Sequence, residues 1–231
     1  MTTVNTSEAA HLDEALYVQL LNLAAGALLL TAVLVLWRRE LSMIIRVFAL
    51  QGIALAGLVA VLAAEQGSAE LGVLAVGVLV LRAGVLPACL RRALAASGQD
   101  RRETRPLVNV TASLLAAAVL TLLALAVSQP LVELAPSPAT RAVPIGIAVV
   151  LIGFFVLVTR RRALSQLVGF LLMDNGITAV GFLTTAGIGL VVEVGVALDV
   201  LLVVLVLQIL TGRMHEAFGG TDLDELSELR D

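Results

Sequence analysis

Apolar residues run almost unbroken through seven stretches of the chain, at about 16–37, 41–64, 70–90, 107–128, 143–159, 164–186 and 190–212. Polar clusters separate them: Arg38-Arg39-Glu40, Glu65-Gln66-Gly67-Ser68, an arginine-rich stretch at 91–106, a proline-containing stretch at 129–141, and Arg160-Arg161-Arg162. A membrane strand needs only about 9–11 residues, whereas a membrane helix needs about 20. Only helices and closed barrels satisfy their own backbone in lipid. The pattern therefore predicts an all-α integral membrane protein with seven transmembrane helices.

The arginines orient it. With the N-terminus outside, Arg38, Arg39, Arg91, Arg92, Arg101, Arg102, Arg105, Arg160, Arg161, Arg162, Arg213 and Arg230 fall inside, and only Arg141 is left in an outer loop. The positive-inside rule then places the C-terminus in the cytoplasm. The polar punctuation also repeats. Arg38-Arg39-Glu40-Leu41-Ser42 corresponds to Arg161-Arg162-Ala163-Leu164-Ser165, Gln51-Gly52-Ile53 to Asn175-Gly176-Ile177, and Glu70-Leu71-Gly72-Val73 to Glu193-Val194-Gly195-Val196, at offsets of 123 or 124 residues. One linking helix between two triplets gives a 3+1+3 parallel repeat. The expected organisation is an outer polar tail at 1–15 and a first three-helix unit at 16–91. A cytoplasmic loop, linking helix and outer loop follow at 92–142, a second three-helix unit at 143–212, and an amphipathic tail at 213–231.

Composition agrees with lipid as the solvent: 59% of the 231 residues are hydrophobic and 14% charged, against about 25% charged in soluble domains. The net charge of −3 gives no reason to expect nucleic acid. One cysteine, Cys89, excludes an internal disulfide framework. His11 and His215 lie outside the apolar runs, so neither a metal nor any other cofactor is expected. The acidic N-terminus (Glu8, Asp13, Glu14) has no basic n-region, so the first run reads as a retained span. Pro87 and Cys89, with Gly84 just before them, read as a kink and a small packing residue closing the third span.

Candidate chemistry lies in the few polar residues inside the runs. Gly169-Phe170-Leu171-Leu172-Met173-Asp174-Asn175-Gly176-Ile177 puts a carboxylate and a carboxamide in mid-span. An acid at the centre of a membrane helix costs about 2.5–3.5 kcal/mol, so it is rarely kept without a use. Asp199 sits midway along the next run, Arg82 is at a similar depth in the third, and Glu193 is nearer the outer surface. At 100° per residue Asp174, Thr178 and Thr185 share a face, with Gly181 nearby. An autonomous small cation/proton transporter built from the two triplets is one reading of the chain, and for these residues two readings stay open. In one, Asp174, Asp199, Glu193 and Arg82 form a proton relay, supported by Asn175, Thr178 and Thr185; in the other, Arg82 and an aspartate are a fixed ion pair joining the triplets. Glu193 and Glu70 also fit helix starts, and Asn109 and Ser113 fit hydrogen bonds between helices. No nucleophile elbow, phosphate loop or metal-ligand spacing is present, so bond chemistry is not expected of this chain.

These residues carry a resemblance. From Arg160 onward, the basic turn, the helix with Gly169 and Asn175, the acid Asp199 and the closing Asp222–Arg230 segment resemble the three-helix K-type subunit of complex I and of multisubunit cation/proton antiporters. With Leu172-Met173-Asp174-Asn175-Gly176-Ile177 and Val192-Glu193-Val194-Gly195-Val196-Ala197-Leu198-Asp199, nearly the whole chain is similar to the hydrogenase-4 component E family. K-type subunits carry a glutamate two residues after the glycine, where this chain has Leu171; its acid is Asp174. The resemblance implies a subunit in the membrane arm of a respiratory-type complex in a bacterial or archaeal cytoplasmic membrane. Its partners would be antiporter-like and other membrane subunits, with electrons passing elsewhere, and it leaves contact with a quinone undecided.

Overall fold

The computed structural model describes residues 4–96 and 108–185, and among these every regular element is helical. The helices are α1 (Val4–Trp37), α2 (Leu41–Gln66), α3 (Ala69–Val78), α4 (Leu86–Ala96), α5 (Val110–Leu134), α6 (Val143–Thr159) and α7 (Ala163–Thr185). A π-helical turn, Leu79–Val85, joins α3 to α4 without a break, and a 3₁₀ turn, Thr140–Ala142, leads into α6. Six helical stretches are long and apolar enough to cross a membrane: Glu14–Trp37, Leu41–Gln66, Ala69–Ala95, Val110–Leu134, Thr140–Thr159 and Ala163–Thr185. The chain is thus a multi-pass membrane protein. The seventh expected span, at 190–212, lies outside the described residues.

Local sequence sets the turns. Gly67 ends α2 at φ +60°, a left-handed conformation that glycine adopts without strain. The N–H of Ser68 then reaches the Ala63 carbonyl at 3.1 Å, and the Ser68 hydroxyl accepts from Leu71 N–H at 3.3 Å. Two residues therefore reverse the chain between α2 and α3. At the start of α5 the Asn109 side chain accepts from Ala112 N–H at 2.8 Å. Asn109 is consequently a helix cap, not the contact between helices expected from its i,i+4 relation to Ser113.

Three boundaries differ from the sequence pattern. The polar positions from Val4 onward continue into α1 as helix. The linking helix begins at Val110 and runs through Pro130 to Leu134, beyond the break expected at 129. Membrane helices tolerate proline where nearby groups re-satisfy the backbone, and the Ser128 hydroxyl donates to the Ala124 carbonyl at 2.7 Å in the turn below. The third span does not close at Pro87 but continues to Ala96. In an α-helix the Pro87 ring would press on the Ala83 carbonyl; here the preceding turn widens, and Leu86 N–H bonds the Leu81 carbonyl five residues back.

The core is built by α1, α2, α6 and α7, where Leu28, Phe48, Leu55, Ile152 and Leu172 are fully buried together. The α6–α7 pair packs most closely. Without a hydrophobic drive between helices in lipid, close backbone approach through small residues holds them. A Cβ on Gly153 would stand 2.4 Å from Met173 N, one on Gly169 2.6 Å from Leu157 N, one on Gly176 2.6 Å from Val150 N, and one on Gly146 2.8 Å from a Val180 methyl. The four contacts keep one antiparallel register, each step up α6 matched by an equal step down α7. At the periphery, only 17% of the α5 span is buried.

Candidate functional site

A charged network lies inside this apolar body. Arg82, in the π-helical turn, is 1% exposed and is the largest fully buried side chain. Its guanidinium points at one face of α7. One Nη donates to Asn175 Oδ1; the other donates to Thr178 Oγ1 at 2.8 Å and is ion-paired with Asp174 Oδ2 at 2.7 Å. Residues i and i+4 lie on one helical face, and i+1 is within reach of a long fork-shaped side chain. The sequence pattern thus named four residues that the fold brings together: Arg82, Asp174, Asn175 and Thr178.

The network extends further. Asn175 Nδ2 donates to Gln51 Oε1 at 2.9 Å, and Gln51 Nε2 points to the Leu28 carbonyl at 3.4 Å. Both amides are fully buried. Because the Leu28 end can only accept and the Arg82 end can only donate, the direction of each amide is fixed. Four helical segments, α1, α2, the π turn and α7, are joined by one polar chain. Gln51 was legible in the sequence only as the counterpart of Asn175 in the repeat; that the two touch depends on how α2 crosses α7.

Gly52 makes room for this arrangement. A Cβ there would stand 2.7 Å from the Arg82 carbonyl carbon and 2.8 Å from Ala83 N. Gly52→Ala is expected to push the π turn outward and destabilise the protein by about 1–3 kcal/mol. Gly57→Ala, on the same helix with nothing within 4 Å of the added carbon, is the matched control. Thermal unfolding of both variants in detergent checks this.

Other expected site residues are placed differently. Thr185 stays on its own helix, donating to the Gly181 carbonyl at 2.7 Å, two turns beyond Thr178 and outside the network. Asp199 and Glu193 lie outside the described residues. Among the described residues no group of His, Cys, Asp and Glu is placed to hold a metal ion. The pair is asymmetric in access: Asp174 keeps 19% of its side chain exposed where Arg82 keeps 1%. A fixed cation therefore backs an acid that remains reachable from the protein surface.

No family model and no solved structure matches the chain. Among curated proteins it is 50% identical over 212 residues to the uncharacterized protein Rv0085 of Mycobacterium tuberculosis, covering 92% of this chain and 96% of that protein. It is 24% identical over 211 residues to hydrogenase-4 component E of Escherichia coli K12, covering 91% of this chain and 97% of that protein, and matches the Shigella flexneri protein of that name equally. Both matches span nearly the whole of each chain. The chain thus belongs to the family of the uncharacterized protein Rv0085, with hydrogenase-4 component E as a distant homologue.

Proposed function

We propose that this protein is a membrane-arm subunit of a hydrogenase-4-like, complex I-related respiratory complex, in which Asp174 passes protons and Arg82 holds it in place. The observation that carries this reading is the charge pair itself: a fully buried arginine facing a partly exposed acid inside apolar helices. Each charge alone costs about 2.5–3.5 kcal/mol at the bilayer centre, so the pair is kept for a use or for cohesion. Distant homology to a hydrogenase subunit favours use.

In this proposal the chain lies in a bacterial or archaeal cytoplasmic membrane with its N-terminus outside. A seventh span at 190–212 carries Asp199 as a further acid of the relay, and Glu193 stands toward the outer surface. The 3+1+3 repeat and the likeness of its second unit to K-type subunits belong to the same proposal. Antiporter-like subunits flank the chain and supply or take the protons. No electron carrier is assigned to it, since redox work belongs to other subunits.

The alternative is cohesion alone, favoured by the engagement of Arg82 with three α7 side chains at once. Asp174→Asn separates the two. The amide keeps an oxygen for Arg82 and loses the exchangeable proton. The relay reading expects the native complex to assemble, co-purify with its partners and keep electron transfer, while proton translocation in membrane vesicles falls by tenfold or more. Normal translocation by an assembled Asp174→Asn complex would remove Asp174 from the relay.

A further inference from the structure

A second polar site lies at the end of the bundle where α1 and α6 finish and α5 begins. A shallow open cleft is lined there by Leu36, Arg39, Val108, Val110, Ser113, Thr159 and Arg160. We propose that it binds the phosphate group of an anionic phospholipid.

Four features of the cleft suit a phosphate. Arg39 is exposed and free to turn toward a ligand. Arg160, only 6% exposed, is fixed behind it: one Nη donates to the carbonyls of Val35, Leu36 and Arg38 at 3.1–3.2 Å. Those carbonyls form the negative end of α1 and would repel an anion; the guanidinium covers them. The N-terminus of the 25-residue helix α5 opens at Val110. Asn109 takes the Ala112 N–H with its side chain and the Ser113 N–H with its carbonyl, which leaves the Val110 and Thr111 N–H groups for an anion. The fourth feature is Ser113. It is 7% exposed, lines the cleft, and its hydroxyl makes no hydrogen bond among the described residues. The hydroxyl opens onto the cleft, where it can donate to an acceptor. The nearest carboxylate on the same loop, Glu40, instead accepts from the Ser42 hydroxyl at 2.6 Å.

A lipid is the favoured source because of where the cleft sits. The spans Glu14–Trp37, Val110–Leu134 and Thr140–Thr159 all end at it, which puts it at the level of the headgroups. Trp37, half exposed with the Arg38 guanidinium 5.1 Å above its ring, marks the same level. Apolar side chains of α1 and α5 such as Leu30 and Leu115 are open to acyl chains. Basic hollows between helices at a membrane surface are suited to anionic headgroups.

The test is native mass spectrometry and thermal unfolding of the purified full chain in neutral detergent, with phosphatidylglycerol, phosphatidylcholine or inorganic phosphate added. Phosphatidylglycerol is expected to bind and to raise the unfolding temperature, with phosphatidylcholine far weaker. Arg39→Gln should weaken phosphatidylglycerol about tenfold, and Ser113→Ala, which keeps the charge, about fivefold. Arg91→Gln, an equal charge change at an exposed site on α4, should leave binding as it is. Unchanged affinity in Arg39→Gln, or equal binding of the two lipids, would overturn the site. Protection by inorganic phosphate as strong as that by phosphatidylglycerol would overturn the lipid as its ligand.

Discussion

Arg82→Met is expected to lower the stability of the detergent-solubilised protein by about 3–5 kcal/mol, the usual cost of removing one partner from a buried ion pair. The loss comes less from the attraction forfeited than from what remains. Asp174 keeps its charge against apolar helices, and the Asn175 and Thr178 oxygens lose the donor they face. Asp174→Leu should be damaging for the converse reason, since an arginine does not give up its proton. The double variant Arg82→Met/Asp174→Leu removes both charges and should recover much of the loss, as replacement of buried pairs by apolar residues has been found to do. Thermal unfolding of the three variants closes a double-mutant cycle. A single variant costing less than about 1 kcal/mol, in the range of exposed pairs, would show that the pair does not hold the helices.

The second large effect is expected at Gly153. Its added carbon would stand 2.4 Å from Met173 N and 2.7 Å from Met173 Cα, and backbone cannot swing aside as a side chain can. Gly153→Val should therefore part α6 from α7 and cost about 3 kcal/mol or more, the upper end for overpacking. Because the register is shared, the displacement carries to Gly169 and Gly176, which flank Asp174 and Asn175. Assembly and any Asp174-dependent activity should fail with stability. Gly181→Ala, on α7 with nothing within 4 Å of the new carbon, should stay within about 0.5 kcal/mol of the parent. Comparable unfolding temperatures for the two would refute the glycine interlock.

Much of this was legible in the sequence because lipid removes ambiguity. Six apolar runs became six membrane-length helices, and the 143–159 run coincides with α6 to the residue. Arg82 and Asp174 declared themselves by being charged where charge is expensive, and Thr178 by falling one turn from Asp174. The remainder depended on how helices cross, which periodicity does not encode. Gln51 is an ordinary polar residue until α2 meets α7. Arg160 reads as one more basic residue of a loop, yet its side chain folds back to seal the end of α1. Pro87 signalled a break, but a local change of hydrogen-bond register absorbed it one turn earlier. Thr185 shared the wheel position of Asp174, yet its hydroxyl bonds the Gly181 carbonyl of its own helix.

The Arg82 network also has an order in time. All three of its side-chain partners on α7 lie between 92 and 96 residues later in the chain, so the arginine is synthesised first. At about 5–20 residues per second, ribosomes deliver the acid roughly 5–18 s after the cation. For that interval the third span holds an uncompensated guanidinium worth about 2.5–3.5 kcal/mol against insertion. The apolar content of Ala69–Ala95 must carry it, or the span must wait at the membrane surface. Biogenesis of this protein is therefore not a string of independent insertions: the third span gains these partners when α7 arrives.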